Sequence, residues 1–316
     1  PAMHTLICGS LAYDTIMVFA DRFKHHILPE QIHILNVSFL VPDMRREYGG
    51  CAGNIAYSLK LLDGAPLVMA AVGDDAGPYL ARLQQLGLPA QHVRQVPGTF
   101  TAQAFITTDL DDNQITAFHP GAMNFSHHNS VGAARDTCDI GLGIVAPDGR
   151  AGMLQHARGF RARGIPFIFD PGQGLPMFDG AELLDFVGLA DYCTVNDYEA
   201  KLLTERTGKS LEQLARALRA LIVTLGGSGS RIYADGRTID IPAVPAQQIV
   251  DPTGCGDAYR AGLLYGIARG WGWEKTGRLA ALMGSIKIAR RGGQNHKPTR
   301  AEIAERYRAA WGESLD

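Results

Sequence analysis

The chain lacks most of the features that would place it outside ordinary globular proteins. It has no C-x-x-C pair: its five cysteines (Cys8, Cys51, Cys138, Cys193 and Cys255) are scattered and odd in number. That spacing argues against a zinc site or a disulfide framework, and for reduced thiols in a cytoplasm. No apolar run is long enough to span a membrane, and no signal peptide is legible. Neither sign of charge is in excess. A net charge of −2 gives no reason to expect nucleic acid or an acidic membrane as partner. What remains is a chain of 316 residues, 46% hydrophobic and 20% charged, enough for a large core. Residues 1–316 exceed the usual single-domain length but suit one α/β domain. Pro1 and Ala2, ahead of Met3, read as an appended stub and stand outside the fold reading.

Glycine is plentiful, and it clusters. The most telling stretch is Asp251–Arg269, DPTGCGDAYRAGLLYGIAR. Pro252, Gly254 and Gly256 make a turn. Ala258, Ala261, Leu264, Tyr265 and Ala268 follow at helical spacing. A glycine turn that opens a helix leaves backbone N–H groups pointing one way, at the positive end of the helix dipole, which is a ready anion site. Asp257 would repel an anion held there. Two readings stand: it caps the helix, or it takes a proton from a hydroxyl that attacks a bound phosphate. Cys255 reads as a small filler in that loop. A second cluster, Gly49-Gly50-Cys51-Ala52-Gly53-Asn54, leads into a helical face of Ile55, Ala56, Leu59 and Leu62. Asn54 there is a cap or a partner for a sugar hydroxyl.

Along the chain, Thr5–Gly9 reads as a buried strand, with Asp14 just beyond its carboxyl end. It is a turn aspartate or a ligand contact. Ile32–Phe39 partly alternates and is expected as an exposed strand outside the main sheet. Thr101–Thr108 and Ile115–His119 flank a turn-rich hexamer and read as a hairpin. The regions about 15–48 and 98–124 are therefore expected to pair as a small β lid. Phe118 and His119 either pack or stack on a flat ligand. From Ile140 the pattern alternates: strand 140–146, helix 149–163, strand 166–170, helix 180–188, strand 190–195, helices near 197–206 and 210–219, strand Leu221–Leu225. That is a doubly wound, mostly parallel sheet covered on both faces. Gly141-x-Gly143 lies inside a strand, out of context for a dinucleotide fingerprint. Asn196-Asp197-Tyr198-Glu199 is a capping box at a helix start, or a pair orienting Mg²⁺-bound water. Thr224-Leu225-Gly226-Gly227-Ser228-Gly229 ends a strand in a turn that holds a nucleotide or starts a hairpin. Each of these elements lies at a strand's carboxyl end or a helix start, which implies one cleft.

With GGCAGN upstream, DPTGCGD downstream, and NDYE and VTLGGSG between them, the chain resembles the ribokinase-like (PfkB) carbohydrate kinases over nearly its whole length. The D-x-x-G-x-G-D loop is the more specific of the two signatures. GSLAYD, MRREYGGCAGNIAYSL, ITAFHPGAM, FDPGQGLP and VNDYEAK carry a closer likeness to bacterial adenosine and nucleoside kinases. The resemblance implies a ribokinase-like α/β fold with a lid, and ATP-dependent phosphorylation of a ribose 5′-hydroxyl, adenosine first. Asp257 would be the base, and the backbone of Gly254, Cys255 and Gly256 the anion hole. Asp14, Gly50 and Asn54 would hold the ribose, and Phe118, His119 and Gln173 the rest of the nucleoside. Asn196, Thr224, Gly226 and Gly229 would line the ATP site, with Glu199 reaching Mg²⁺ through water. Asp251 and Thr253 match a monovalent-cation site, with K⁺ the expected ion, although His296 stands where a small polar residue often completes it. The partners implied are the nucleoside and ATP, with a monomer or a lid-paired homodimer. Guanosine, inosine, ribose or fructose are alternative acceptors. A non-catalytic nucleotide- or sugar-binding protein is the alternative of another class.

Overall fold

A computed structural model describes residues 3–316. The strands and helices, in chain order, are β1 (His4–Cys8), β2 (Ala12–Val18), β3 (Asp43–Gly49), α1 (Cys51–Leu61), β4 (Pro66–Val72), α2 (Gly77–Gln85) and β5 (His92–Gln95). Then come β6 (Ala102–Thr108), β7 (Gln114–His119), α3 (Val131–Thr137), β8 (Ile140–Val145), α4 (Arg150–Ala162), β9 (Phe167–Phe169), α5 (Gly180–Leu189) and β10 (Tyr192–Asn196). The chain ends with α6 (Asp197–Thr207), α7 (Leu211–Arg216), β11 (Ala220–Thr224), β12 (Ser230–Ala234), β13 (Arg237–Ile241), α8 (Cys255–Ala268), α9 (Trp273–Ile288) and α10 (Arg300–Trp311).

Nine strands form the main sheet in the order β13-β12-β11-β10-β9-β8-β1-β4-β5. It is parallel from β11 to β5. Only β12 runs against it, and its hairpin partner β13 turns back to the common direction. The inner strands are mostly apolar, and β4 (PLVMAAV) is so at every position, because both faces are covered. One core lies between the sheet and α1, α8 and α9. The other fills the opposite face, around Phe160, Phe167, Phe169 and Phe186. From β1 the chain winds to β4 on one side and returns to β8 on the other. This reversal of direction opens a crevice at the carboxyl ends of β1 and β8. No helix among the described residues is long and apolar enough to cross a membrane.

The lid is a four-stranded sheet, β3-β2-β6-β7, in which β2 pairs parallel with β6 and the outer pairs are antiparallel. The expected pairing of the two lid regions is present, but its first strand starts at Ala12, before residue 15. The expected strand Ile32–Phe39 is absent. That segment follows a single 3-10 turn at Pro29–Gln31 and stays irregular, with Ile32, Ile34 and Leu35 exposed. The physical reason is competition for one edge. Residues 43–49 take the full length of β2, from Val18↔Asp43 to Ala12↔Gly49, so the alternating stretch is displaced from the edge next to it in sequence. Its Phe39 packs instead on Phe19 and Phe23.

Candidate active site

Two helices meet at the crevice. The first, α1, starts at Gly50, whose φ of 88° favours glycine; a Cβ there would lie 2.5 Å from the Ser10 carbonyl oxygen. The second, α8, starts at Gly254, with φ 78°. The helices pack side by side, and this packing joins residues far apart in sequence. The Asn54 Nδ2 donates to Asp257 Oδ2 at 2.9 Å. Asn54 Oδ1 accepts from Gln294 Nε2 at 3.2 Å, and the same nitrogen donates to the Tyr79 hydroxyl at 2.8 Å. Tyr79 in turn donates to the Gly49 carbonyl at 2.6 Å. Gly254 and Gly293 leave the room for this amide, since a Cβ on Gly293 would lie 2.4 Å from Asn54 Oδ1. Asn54 thus orients Asp257 and has one Nδ2 hydrogen left to offer a hydroxyl.

Asp257 lies in the first turn of α8, half-buried. Burial pushes its carboxyl up to about 7; the Asn54 amide and the Arg260 guanidinium pull it down, while Asp170 and Asp14 push it up. A carboxylate poised there is suited to taking a proton at neutral pH. The anion hole is narrower than the sequence suggests. The Cys255 N–H turns back onto the Pro252 carbonyl at 3.1 Å, so it is not an open donor. Among the described residues the exposed Gly256 N–H has no acceptor, and it points out of the helix start. Burial also raises the Cys255 thiol, to about 11, which fits a filler rather than a nucleophile.

The sequence reading missed Arg260 and Asp170. Arg260, one turn beyond Asp257, donates to Asp170 Oδ2 at 2.9 Å and to the Gly256 carbonyl at 3.0 Å. Both members of this pair are buried, and Asp170 Oδ1 has no partner. The pair fixes the start of α8 against the end of β9 and places positive charge behind the carboxylates. The signal was available: Asp170 opens FDPGQGLP at a strand's carboxyl end, and an arginine inside an apolar helix face calls for a buried partner.

Across the lid, pairing sets a row on one face: Glu47, Asp14, Ala104 and Phe118 are successive register partners. Gly49 gives Asp14 its space, since a Cβ there would lie 2.4 Å from Asp14 Oδ2. Burial raises the Asp14 carboxyl to about 6, and Glu47 and Asp251 add to the rise. Phe118 is exposed on the same face. His119, also exposed, lies on the opposite face, because neighbouring residues of a strand point to opposite faces, and it meets Phe100 edge-on at 6.2 Å. Gln173 is exposed in the turn after β9, without a hydrogen-bond partner in the site.

At the far end of the same sheet edge, Asn196 and Glu199 form a full capping box, Glu199 N–H to Asn196 Oδ1 at 2.7 Å and Asn196 N–H to Glu199 Oε1 at 3.0 Å. Burial raises the Glu199 carboxyl, and the charge of Asp170 reaches it. Thr224 is in register beside Asn196. Gly226 and Gly229 carry the turn into β12 with φ of 57° and 90°.

Asp251 and Thr253 do not present an open cation site. Asp251 Oδ1 accepts the Thr253 N–H at 2.9 Å and Oδ2 accepts the Gly292 N–H at 2.7 Å. Burial favours protonation of Asp251, but these bonds and Lys287 hold its carboxyl below the usual range. His296 is buried, with Nε2 on the Ser58 hydroxyl at 2.9 Å. Burial and the charge of Lys287 lower it to about 3, so it is neutral.

A profile of the pfkB family carbohydrate kinases matches residues 11–300. A nucleoside kinase of Methanothermobacter thermautotrophicus is 31% identical over 312 residues, 97% of this chain and 96% of that protein. The Methanocaldococcus jannaschii nucleoside kinase is 30% identical over 273 residues, 86% of this chain and 89% of that one. Among solved structures, the Burkholderia thailandensis nucleoside kinase in complex with inosine has 56% identity and a TM-score of 0.89, covering 98% of this chain and 99% of that one. The same enzyme has also been solved in complex with ADP-inosine.

Proposed function

The chain belongs to the pfkB family of carbohydrate kinases, phosphotransferases with an alcohol group as acceptor, and from that premise we propose that its acceptor is the 5′-hydroxyl of a purine nucleoside, with adenosine preferred. The observation that carries the reading is Asp257: a carboxylate raised to about 7, oriented by Asn54, next to an exposed helix-start N–H. An anion-binding turn alone gains nothing from a negative charge. A phosphoryl transfer gains a base for the attacking hydroxyl and donors for the transferred group. This also disfavours a binding protein without turnover.

The ribose would lie between Asp14, Gly50 and Asn54, its 5′-hydroxyl toward Asp257. The base would extend along the lid row toward Phe118. ATP would follow the sheet edge past Asn196 and Thr224 to Gly226 and Gly229. The described residues hold no group of three candidate metal ligands, so Mg²⁺ would be carried on phosphate oxygens and water near Glu199, where it neutralises phosphate charge. Arg260 keeps the start of α8 fixed while charge develops. The lid would exclude water from the transfer.

Support for a purine comes from Phe118 on the face of Asp14 and from the relative that binds inosine. The test is initial-rate kinetics with ATP against adenosine, inosine, guanosine, ribose and fructose. Stacking a base is worth about 1–3 kcal/mol, so kcat/KM for adenosine should exceed that for ribose at least roughly tenfold. Ribose as the better substrate overturns the nucleoside reading. Inosine above adenosine keeps that reading and moves the base preference.

A further inference from the structure

The expected potassium site is already filled from within, and we infer that the ammonium of Lys287 does permanently what a bound monovalent cation would do, holding the phosphate loop in place without potassium. Lys287, in the last turn of α9, is fully buried. Its Nζ donates to the main-chain oxygens of Asp251 and Arg290, each at 2.8 Å. These are the two loops that meet at the start of α8. The Asp251 loop leads directly into Gly254, where an added Cβ would lie 3.7 Å from Lys287 Cε. Backbone bonds from Val250 and Asp251 to the Ile288 carbonyl close the same junction.

The residues around this point do not fit an additional cation. Each Asp251 carboxylate oxygen is turned to a backbone N–H of its own loops. His296, close enough for the Lys287 charge to reach it, is neutral and buried, with no partner for Nδ1 among the described residues. Two carbonyl oxygens facing one buried charge make an ammonium site, and the chain supplies the ammonium itself. A main-chain carbonyl cannot titrate, so the tether persists for as long as the lysine stays charged. Burial lowers the lysine from its ordinary value, while Cys255 and Asp251 oppose that shift. Lys287 is therefore a positioning residue: it touches no reacting atom, but it sets the loop that presents Gly256 and Asp257.

The inference deepens the phosphotransfer reading and rests on it only for its kinetic readout. Melting of the unliganded protein tests it separately. Wild-type turnover and melting temperature should be the same in potassium and in sodium at matched ionic strength. In Lys287→Ala, which empties the ammonium position, kcat should fall about a hundredfold, the usual loss for a misplaced oxyanion donor. Added ammonium or potassium should restore part of both kcat and melting temperature. Lys287→Met, which fills the space without charge, should lose kcat and regain nothing with either ion. A wild-type protein that potassium activates or stabilises above sodium overturns the inference, as does a folded Lys287→Ala that retains full turnover or that no cation rescues. If Lys287→Ala does not fold, the wild-type melting comparison still decides. If no acceptor is phosphorylated at all, the kinase reading fails while the melting arms stand.

Discussion

The helices α1 and α8 begin alike and end up doing different work. Each opens on a glycine with positive φ, Gly50 at 88° and Gly254 at 78°, and each follows a glycine-rich turn. At α1 the first two donors are satisfied from inside: the Cys51 N–H goes to the Ser10 hydroxyl at 3.2 Å and the Ala52 N–H to the Ser10 carbonyl at 3.0 Å. At α8 only the Cys255 N–H is turned back, and Gly256 stays exposed without an acceptor. The first helix therefore delivers a side chain, Asn54. The second delivers main chain and a carboxylate, Asp257. A glycine turn ahead of a helix creates the potential for an anion site. Whether that potential remains available depends on what the rest of the fold places in front of it.

The sharpest way to break this contrast is at position 257. Asn is close to Asp in shape and keeps an oxygen to accept the Asn54 amide, while Asp257 itself makes no capping bond in α8. Asp257→Asn should fold and bind both substrates, yet lose about 10²–10⁴ in kcat with little change in KM, because the base acts in the transition state. Near-normal turnover in Asn, with a lowered melting temperature in Asp257→Ala, would instead make Asp257 a structural partner of Asn54.

A smaller effect follows from protonation. Asp257 must be deprotonated to accept a proton, and its carboxyl is raised to about 7. The base form is present above that value and is lost as pH falls through it. The kcat/KM profile should be level above about 7 and drop roughly tenfold per unit below it, since it reports the free enzyme. Asp14, raised to about 6, should steepen the limb further down. The two carboxylates influence each other, so the limb belongs to the pair. In Asp257→Asn the upper inflection should vanish and only the lower one remain. An inflection near 7 that survives the substitution would assign it to another group.

These contrasts also show what could be read in advance. The parallel sheet, its order of alternation from Ile140 and the hairpin Ala102–His119 were legible because buried strands and turns announce themselves locally. So was the placing of Asn196 and Thr224 at strand ends and of Asn54 and Asp257 at helix starts, because such positions are topological facts. Asp14, expected in a turn or loop after β1, instead lies inside lid strand β2, where β3 and β6 pair with it on both sides. Ile32–Phe39 misled because alternation without burial is no evidence of pairing. Edge strand β5, with its half-exposed HVRQ, gave too weak a pattern to notice. The roles of Lys287 and Ser10 were illegible for another reason. Each depends on a carbonyl or an N–H at the other end of a long-range contact, and main-chain groups carry no sequence label.

Ser10 offers the smallest effect and the cleanest control on the comparison. It is buried, and its hydroxyl is the acceptor that the Cys51 N–H would otherwise lack. Ser10→Ala removes that acceptor but leaves the Ser10 carbonyl, which still receives the Ala52 N–H. Losing a capping side chain costs about 1 kcal/mol, which in a chain of this size is a fall of roughly 2 °C in melting temperature. If α1 only positions Asn54, kcat should stay within about twofold of wild type, since a loss of that size in stability leaves the native state almost fully populated. If the α1 start instead contributes to holding phosphate, freeing the Cys51 N–H should alter KM for ATP at unchanged melting temperature. Measuring both quantities on the one variant separates the two helix starts: a shift in stability alone keeps α1 as a scaffold, and a shift in ATP affinity alone would give the cleft a second anion-binding helix.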